Sequence, residues 1–358
     1  MNTRQKPLRI LYALQGTGNG HKARALELIP LLRQLGPYEV DVWISGTQSE
    51  LTLPFDVQKS LKGFTFYYGK KGGIHVLRTI QKNALFRFLW DVWRCPISDY
   101  DFVLNDFEPV SAWAGRLRGI PVLSISHQAA IVHPSSPRPA KPNPLIEKAM
   151  FWFAPYQASV GFHFKSFGAH MFPPVIREEI RTLVQTPKEQ VLVYLPTFSP
   201  GKLLPLLSAL DYPVHAYFKG AIEPQRIEKV WIRPIDTSHF LDSFQSSHSV
   251  LCGAGFELPA EALFHGKRLA VVPIKGQYEQ ACNAAAAVQC GAWRFSKLKK
   301  KHVKTLLKWL NSPPPRPLYC PNVSEEILTS IIVHFKAHGS FTTYGKELAT
   351  DPLYTPAT

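Results

Sequence analysis

Four short stretches hold residue types that do chemistry, and each follows a run of apolar residues. The first is Gln15-Gly16-Thr17-Gly18-Asn19-Gly20-His21. Its glycines let the backbone approach a ligand closely. A helix opening near His21 would aim free N–H groups and a positive dipole end at the same point. The spacing is G-x-G-x-G-H rather than the G-x-G-x-x-G of a dinucleotide fingerprint, and no acid ends the next strand, where Ile44 leads into Ser45-Gly46-Thr47. A nicotinamide cofactor is therefore not expected, while a plain tight turn stays open. The second stretch is Leu104-Asn105-Asp106-Phe107-Glu108-Pro109. Asp106 is either the N-cap of a helix that starts with proline, the commoner role, or it faces a ligand with Glu108 and orients a base. The third, Ser124-Ile125-Ser126-His127-Gln128, puts His127 at the same sheet edge as His21. One histidine there is usually structural; two converging suggest proton transfer.

The fourth stretch is the most informative. It runs from Cys252-Gly253-Ala254-Gly255-Phe256-Glu257 through Glu261 to Pro273, then Gln277-Tyr278-Glu279-Gln280 and Asn283-Ala284. A turn of small residues feeds a helix whose N-terminus suits a diphosphate. Glu261 lies one turn inside that helix. Glu279 and Gln280 open a second helix, and acceptors at both loops suit sugar hydroxyls.

These residues need a scaffold that gathers strand ends. Apolar runs at 8–14, 40–44, 101–104 and 121–125 alternate with helical spacing at 21–35 and 110–118. Alternation then restarts with strands at 191–195, 213–218, 230–232, 249–252 and 269–272 and helices at 257–265, 278–290 and 324–337. Strand–helix alternation implies an α/β protein with parallel sheets, whose ligands bind outside the carboxyl ends of the strands. Five prolines at 134, 137, 139, 142 and 144 read as an extended loop, and Phe172-Pro173-Pro174 as a hinge. The expected organisation is a first domain over 1–170, a linker over 171–189 and a second domain over 190–338. The tail over 339–358 has no clear period and is open to order or disorder.

Length and composition agree. The chain has 358 residues, 45% hydrophobic and 19% charged, which suits two globular domains and excludes a disordered or fibrous chain. Its 41 Lys+Arg against 26 Asp+Glu give +15, an excess that favours anionic partners. Five scattered cysteines without a C-x-x-C pair argue against a zinc site or a disulfide scaffold and for a reducing compartment. No apolar run approaches the length of a membrane span. The N-terminus enters a strand pattern directly, so a cytoplasmic protein without a signal peptide is expected.

The stretch from Gly253 to Ala284, with its G-x-x-E, G, P and (D/E)-Q-x-x-N-A pattern, resembles the donor-binding signature of GT-B glycosyltransferases. The likeness is to the peptidoglycan lipid-intermediate N-acetylglucosaminyltransferases and the UDP-glycosyltransferases. Gly16 to His21 resembles their N-terminal glycine loop and histidine, and His127-Gln128 resembles a His-Glu pair. Asn105 to Pro109 and Ile274 to Gln280 look closest to a bacterial and archaeal glycosyltransferase family of about this length. The resemblance implies two Rossmann-like domains facing an interdomain cleft, with the last helix crossing back to the first domain. It implies donor contacts from Gly253 and Gly255 (diphosphate), Glu261 (ribose), Glu279 and Gln280 (sugar hydroxyls), Thr197 and Ser199 (phosphate loop) and Ile235 (base). Gly18, Gly20, Glu108 and His127 fall on the acceptor side. His21 is the expected base, Asp106 its orienter. Inverting transfer from a UDP-sugar to a hydroxyl of a lipid-linked or glycan acceptor is implied, with no metal and no cofactor. A sugar-nucleotide epimerase of the same fold and a non-catalytic binder of anionic ligands are the rival readings; no nucleic-acid-binding motif is present.

Two basic stretches point to peripheral contact with the inner face of an anionic membrane. Residues 294–308 hold seven Lys and Arg and no acid, and 70–94 interleave Lys70, Lys71, Arg78, Lys82, Arg87 and Arg94 with aromatic and aliphatic side chains. The alternative buries those aromatics in the acceptor domain.

Overall fold

A computed structural model describes residues 6–46, 53–62, 85–168, 171–218, 221–235 and 237–345. The chain divides into two units. The first gathers residues up to Ser136, Pro142–Arg177 and the chain from Pro321 onward; the second holds Pro137–Lys141 and Glu178–Cys320. No helix among the described residues is long and apolar enough to cross a membrane.

In the first unit, a seven-stranded sheet has the order β3-β2-β1-β4-β5-β6-β7. Its strands are β1 (Arg9–Gln15), β2 (Glu39–Ser45), β3 (Lys59–Leu61), β4 (Phe102–Asp106), β5 (Val122–Ser126), β6 (Ala158–Phe162) and β7 (Met171–Phe172). All neighbours pair in parallel. Strands such as Arg9-Ile-Leu-Tyr-Ala-Leu-Gln15 are buried almost throughout, because helices cover both faces. The chain lays down β1 to β3 on one side, then returns to place β4 on the other side of β1. The strand order therefore reverses between β1 and β4, and a crevice opens at their carboxyl ends.

The second unit repeats the plan with the order β10-β11-β9-β8-β12-β13-β14. These are β8 (Lys188–Tyr194), β9 (Val214–Tyr217), β10 (Gln225–Ile227), β11 (Val230–Arg233), β12 (Ser247–Gly253), β13 (Arg268–Val272) and β14 (Trp293–Arg294). Only the pairing of β10 with β11 is antiparallel. Here the order reverses between β8 and β12. Val193, Leu203, Leu207, Ala216, Leu251 and Trp309 are among the buried residues of its core.

The linker reading needs adjustment. Met171–Phe172 is not free chain but pairs with Gly161–Phe162 as the edge of the first sheet, and the division falls at Arg177/Glu178. Phe172 is apolar and buried, which draws the segment into the core although two prolines follow it. The start of the tail is ordered as well. Phe341 and Tyr344 are buried, and Phe341 meets Phe102 edge-on with ring centroids 5.4 Å apart. The helix before them, Ser324–His338, places Ile327, Leu328, Ile331 and Ile332 in the first unit, each worth about 1.5–3 kcal/mol of burial. Residues 346–358 lie outside the described residues.

Candidate active site

The parallel register sets Leu14 of β1 beside Asp106 of β4. Helix α1 (Asn19–Gln34) begins two residues earlier than the sequence spacing suggests, with Gly18 as its N-cap at φ 108°. Only glycine adopts that backbone readily. A side chain on Gly16 would sit 2.4 Å from the Gly46 carbonyl oxygen, so that glycine answers to packing between two loops. Gly20 lies in the first turn of α1, next to His21.

His21 Nδ1 donates to Asp106 Oδ1 at 2.8 Å. Arg24, one turn on, grips the same carboxylate with two bonds of 2.9 Å, Nε to Oδ2 and Nη2 to Oδ1. Residues three apart share a helix face, so H-x-x-R delivers both side chains to one acid. Asp106 is fully buried. Burial pushes its pKa up, but the charges of Arg24 and His21 and the hydrogen bonds from both outweigh that and hold it below the ordinary carboxylate value. With Nδ1 committed to Asp106, Nε2 is the nitrogen that can take a proton. Phe107 follows at φ 60°, a backbone region that costs a non-glycine residue energy, and its ring lies parallel to the His21 imidazole at 6.5 Å.

Glu108 is corrected. Instead of reaching an acceptor it is the N-cap of the helix Pro109–Arg118, accepting from Val110 N at 2.8 Å and Ser111 N at 2.6 Å while Ser45 Oγ donates to it at 2.5 Å. The capping role weighed for Asp106 thus belongs to the acid two residues later. His127 sits within the packing of the first unit. It is buried, Nδ1 donates to the Phe162 carbonyl at 2.7 Å, and its ring packs edge-on against His163 at 5.2 Å. The two histidines share a sheet edge, and there His21 pairs with Asp106.

In the second unit the remaining candidates gather at one sheet edge. Thr197 and Ser199 are exposed after β8, at the start of the helix Pro200–Ser208, and Ile235 is half-buried after β11. Gly253 and Gly255 follow β12. A side chain built on either would meet nothing within 4 Å, and neither has a positive φ. The protein's own packing therefore does not require glycine at these two positions. Glu261 is buried inside the helix Glu257–Phe264. Glu279 and Gln280 open the helix Tyr278–Gln289. The side-chain oxygen of Gln280, Oε1, accepts from Ile274 N at 2.8 Å and so closes its own loop. Asn283 Nδ2 donates to the Ala254 carbonyl at 3.2 Å and ties the two loops together. The chain's D-x-D triplet, Asp99-Tyr100-Asp101, lies at the other end of β4 from Asp106, where Asp101 accepts from Arg9 N at 2.7 Å.

A family model described as "Glycosyl transferase family 1" matches residues 8–311. The chain belongs to glycosyl transferase family 1. Solved structures agree on the fold. The glycotransferase of kitacinnamycin superposes with a TM-score of 0.55 at 14% identity, covering 96% of this chain and 99% of that one. LpCGTa in complex with UDP gives 0.55 at 13% identity, with 98% and 100% covered. MurG of Acinetobacter baumannii gives 0.52 at 17%, with 91% and 100% covered. No curated protein matches the chain at a significant level. The fold is GT-B and the protein is an enzyme, a glycosyltransferase.

In this glycosyltransferase, sequence reasoning passed over Arg24, Phe107 and the role of Asn283. Arg24 is detectable from its helical spacing to His21, Asn283 only from the tertiary structure. Replacing Asn283 with alanine leaves the Ala254 carbonyl without its side-chain donor. The expected result is a loss of about 1–3 kcal/mol in thermal stability together with a raised donor KM. Unchanged stability and KM would show that the two loops hold without the link.

Proposed function

We propose that the enzyme moves a sugar from a nucleotide-sugar, a UDP-sugar by default, to an acceptor hydroxyl with inversion and without a metal. The observation that carries this is the His21–Asp106 pair, 2.8 Å apart where the first sheet's strand order reverses. His21 Nε2 takes the acceptor proton as the acceptor oxygen forms its bond to the anomeric carbon. The anomeric carbon–oxygen bond to the diphosphate breaks, and the nucleoside diphosphate leaves with the electron pair. Asp106 stabilises the imidazolium that results. The second unit supplies the donor residues. Backbone at Gly253 and Gly255 and the hydroxyls of Thr197 and Ser199 stand at helix N-termini, whose dipoles offset the leaving charge. Open space around both glycines supports close approach of a diphosphate. Glu261 takes the ribose, Glu279 and Gln280 the sugar, and Ile235 the base. Neighbours of this fold support nucleotide donors, since one was solved with UDP and another with thymidine diphosphate.

The acceptor is lipid-linked or a glycan, and the enzyme works on the inner face of an anionic membrane by peripheral contact. A release assay over UDP-, GDP- and dTDP-sugars, with product analysis by NMR, tests the reading. Nucleotide release coupled to a product of inverted anomeric configuration supports it. Interconversion of the donor without an acceptor would indicate the epimerase, and binding without turnover a binding protein. Glu261→Ala is expected to weaken donor binding by about 1–3 kcal/mol, as for a lost charge-assisted hydrogen bond. Calorimetry showing full affinity with an intact fold removes Glu261 from the donor site.

A further inference from the structure

The helix Leu85–Arg94 (α2) carries two apolar faces. One is expected: Val92 is buried and Phe88 packs against the core of the first unit. The other faces water. Phe86, Leu89, Trp90 and Trp93, at i, i+3, i+4 and i+7, are 89%, 53%, 53% and 67% exposed. A folded chain rarely leaves such a stripe open unless something covers it. The alternative in which these aromatics are buried therefore holds for Phe88 and fails for Phe86, Trp90 and Trp93. Lys70, Lys71, Ile74, Leu77, Arg78 and Lys82 lie outside the described residues.

The stripe is part of a larger built surface. Arg118, at the end of the helix Pro109–Arg118 (α3), donates to the carbonyls of Val92 at 3.1 Å and of Trp93, which fixes α2 against α3. Trp113 of α3 stacks on Trp152 with centroids 6.0 Å apart and donates to its carbonyl at 3.1 Å, which ties in the helix Pro144–Phe153 (α4). Leu117 and Leu145 add 68% and 79% exposed side chains. Guanidinium groups lie over the rings: Arg94 is 5.4 Å from Trp90, and Arg116 is 5.1 Å from Trp152. Aromatic rings beside arginines match the interfacial layer of a bilayer, where the rings enter the headgroup boundary and the cations meet anionic headgroups. Across α2, α3 and α4, Arg87, Arg94, Arg116, Arg118 and Lys148 stand against the two acids Asp91 and Glu147.

This surface also reaches the candidate base. Trp152 is followed by Phe153, whose ring is 4.8 Å from that of Phe107, and Phe107 lies along His21. Two aromatic side chains thus connect His21 to the residue beside the exposed patch.

We infer that the exposed face formed by α2, α3 and α4 docks on an anionic lipid bilayer and brings His21 to an acceptor held in that bilayer. The inference rests on the peripheral-membrane part of the proposed function and adds the place. By contrast, the cations over 294–308 lie in the second unit, and none of the exposed large apolar residues falls among them.

The test uses the full chain and sedimentation with vesicles of phosphatidylcholine, with or without 30% phosphatidylglycerol (about one lipid in three, enough to set a negative surface potential). Wild-type protein should bind the anionic vesicles and release as salt rises, and brominated lipid should quench indole fluorescence. The triple variant Phe86→Ser, Leu89→Ser, Trp93→Ser should bind about 100-fold more weakly, since three large apolar groups no longer enter the interface. These side chains are exposed, so its melting temperature and nucleotide binding should not change. Arg87→Gln, Arg94→Gln and Arg116→Gln should each weaken binding about fivefold, the equivalent of about 1 kcal/mol per cation. Wild-type binding that survives in the triple variant overturns the assignment of this face. Absence of wild-type binding, or equal binding to neutral vesicles, overturns the membrane reading itself. Concentration-dependent dimerisation abolished by the same three substitutions would make a second copy the occupant instead.

Discussion

Replacing His21 with alanine is expected to lower kcat by about 10²–10⁴-fold while donor KM stays nearly unchanged. The size follows from what the imidazole does. A neutral hydroxyl attacks an anomeric centre poorly, and a base that removes its proton in the transition state contributes about that factor. Asp106 holds the ring by Nδ1, which fixes the tautomer and leaves Nε2 as the basic nitrogen. The proposed donor residues belong to the second unit, so ground-state donor affinity should be spared. Steady-state kinetics with the donor varied at a fixed, saturating acceptor concentration checks both halves. Turnover that survives the change would move the base elsewhere, and an equal loss in donor affinity would make His21 a binding residue.

Arg24→Met is the second large effect. Asp106 is shut off from bulk solvent, and Arg24 supplies two of its hydrogen bonds. Removing one partner of a buried ion pair costs about 3–5 kcal/mol, because the other charge stays behind. The pH dependence carries a sign. The folded pKa of Asp106 is lowered, so the stability it contributes is full above the ordinary carboxylate value and is lost as pH falls through the folded one. The gap in melting temperature between wild type and Arg24→Met should therefore be widest at neutral pH and narrow as acid reaches the carboxylate range. Melting curves across that range read it directly. Equal stability at neutral pH would mean that Arg24 does not compensate Asp106. Arg24→Lys, which keeps the charge but not the two-pronged grip, should recover part of the loss.

Much of this enzyme is legible in its sequence, for a local reason. Parallel strands buried on both faces give apolar runs, helices give their own period, and a glycine loop between them marks a strand end. The runs at 8–14 and 249–252 by themselves place His21 and Gly253 at strand ends. Gly253 to Ala284 carries its family pattern in contiguous residues, so recognition needs no tertiary contact. Other elements escaped for equally local reasons. Ala158–Phe162 is a short strand with a glycine, and Met171–Phe172 is two residues before two prolines. Their strand character comes from the neighbour each pairs with.

What the tertiary structure alone decided is which polar groups meet. Asp106 and Glu108 are both acids before a proline-started helix, and either fits the cap from sequence. The register of β4 against β1 turns Asp106 toward His21 and Arg24, while Glu108 turns to the N–H groups of Val110 and Ser111. Asn283 reaches Ala254 across 29 positions, and His127 donates from Nδ1 to a carbonyl of β6. The exposed stripe on α2 shows the same division. Its spacing announces an amphipathic helix, but a helix with apolar residues on two sides does not say which side is buried. That choice was made by Val92 and Phe88 entering the core and by Arg118 fixing the helix from α3. Periodicity is written in the chain because it follows from local geometry; pairing between distant residues depends on how the sheet brings their strands together.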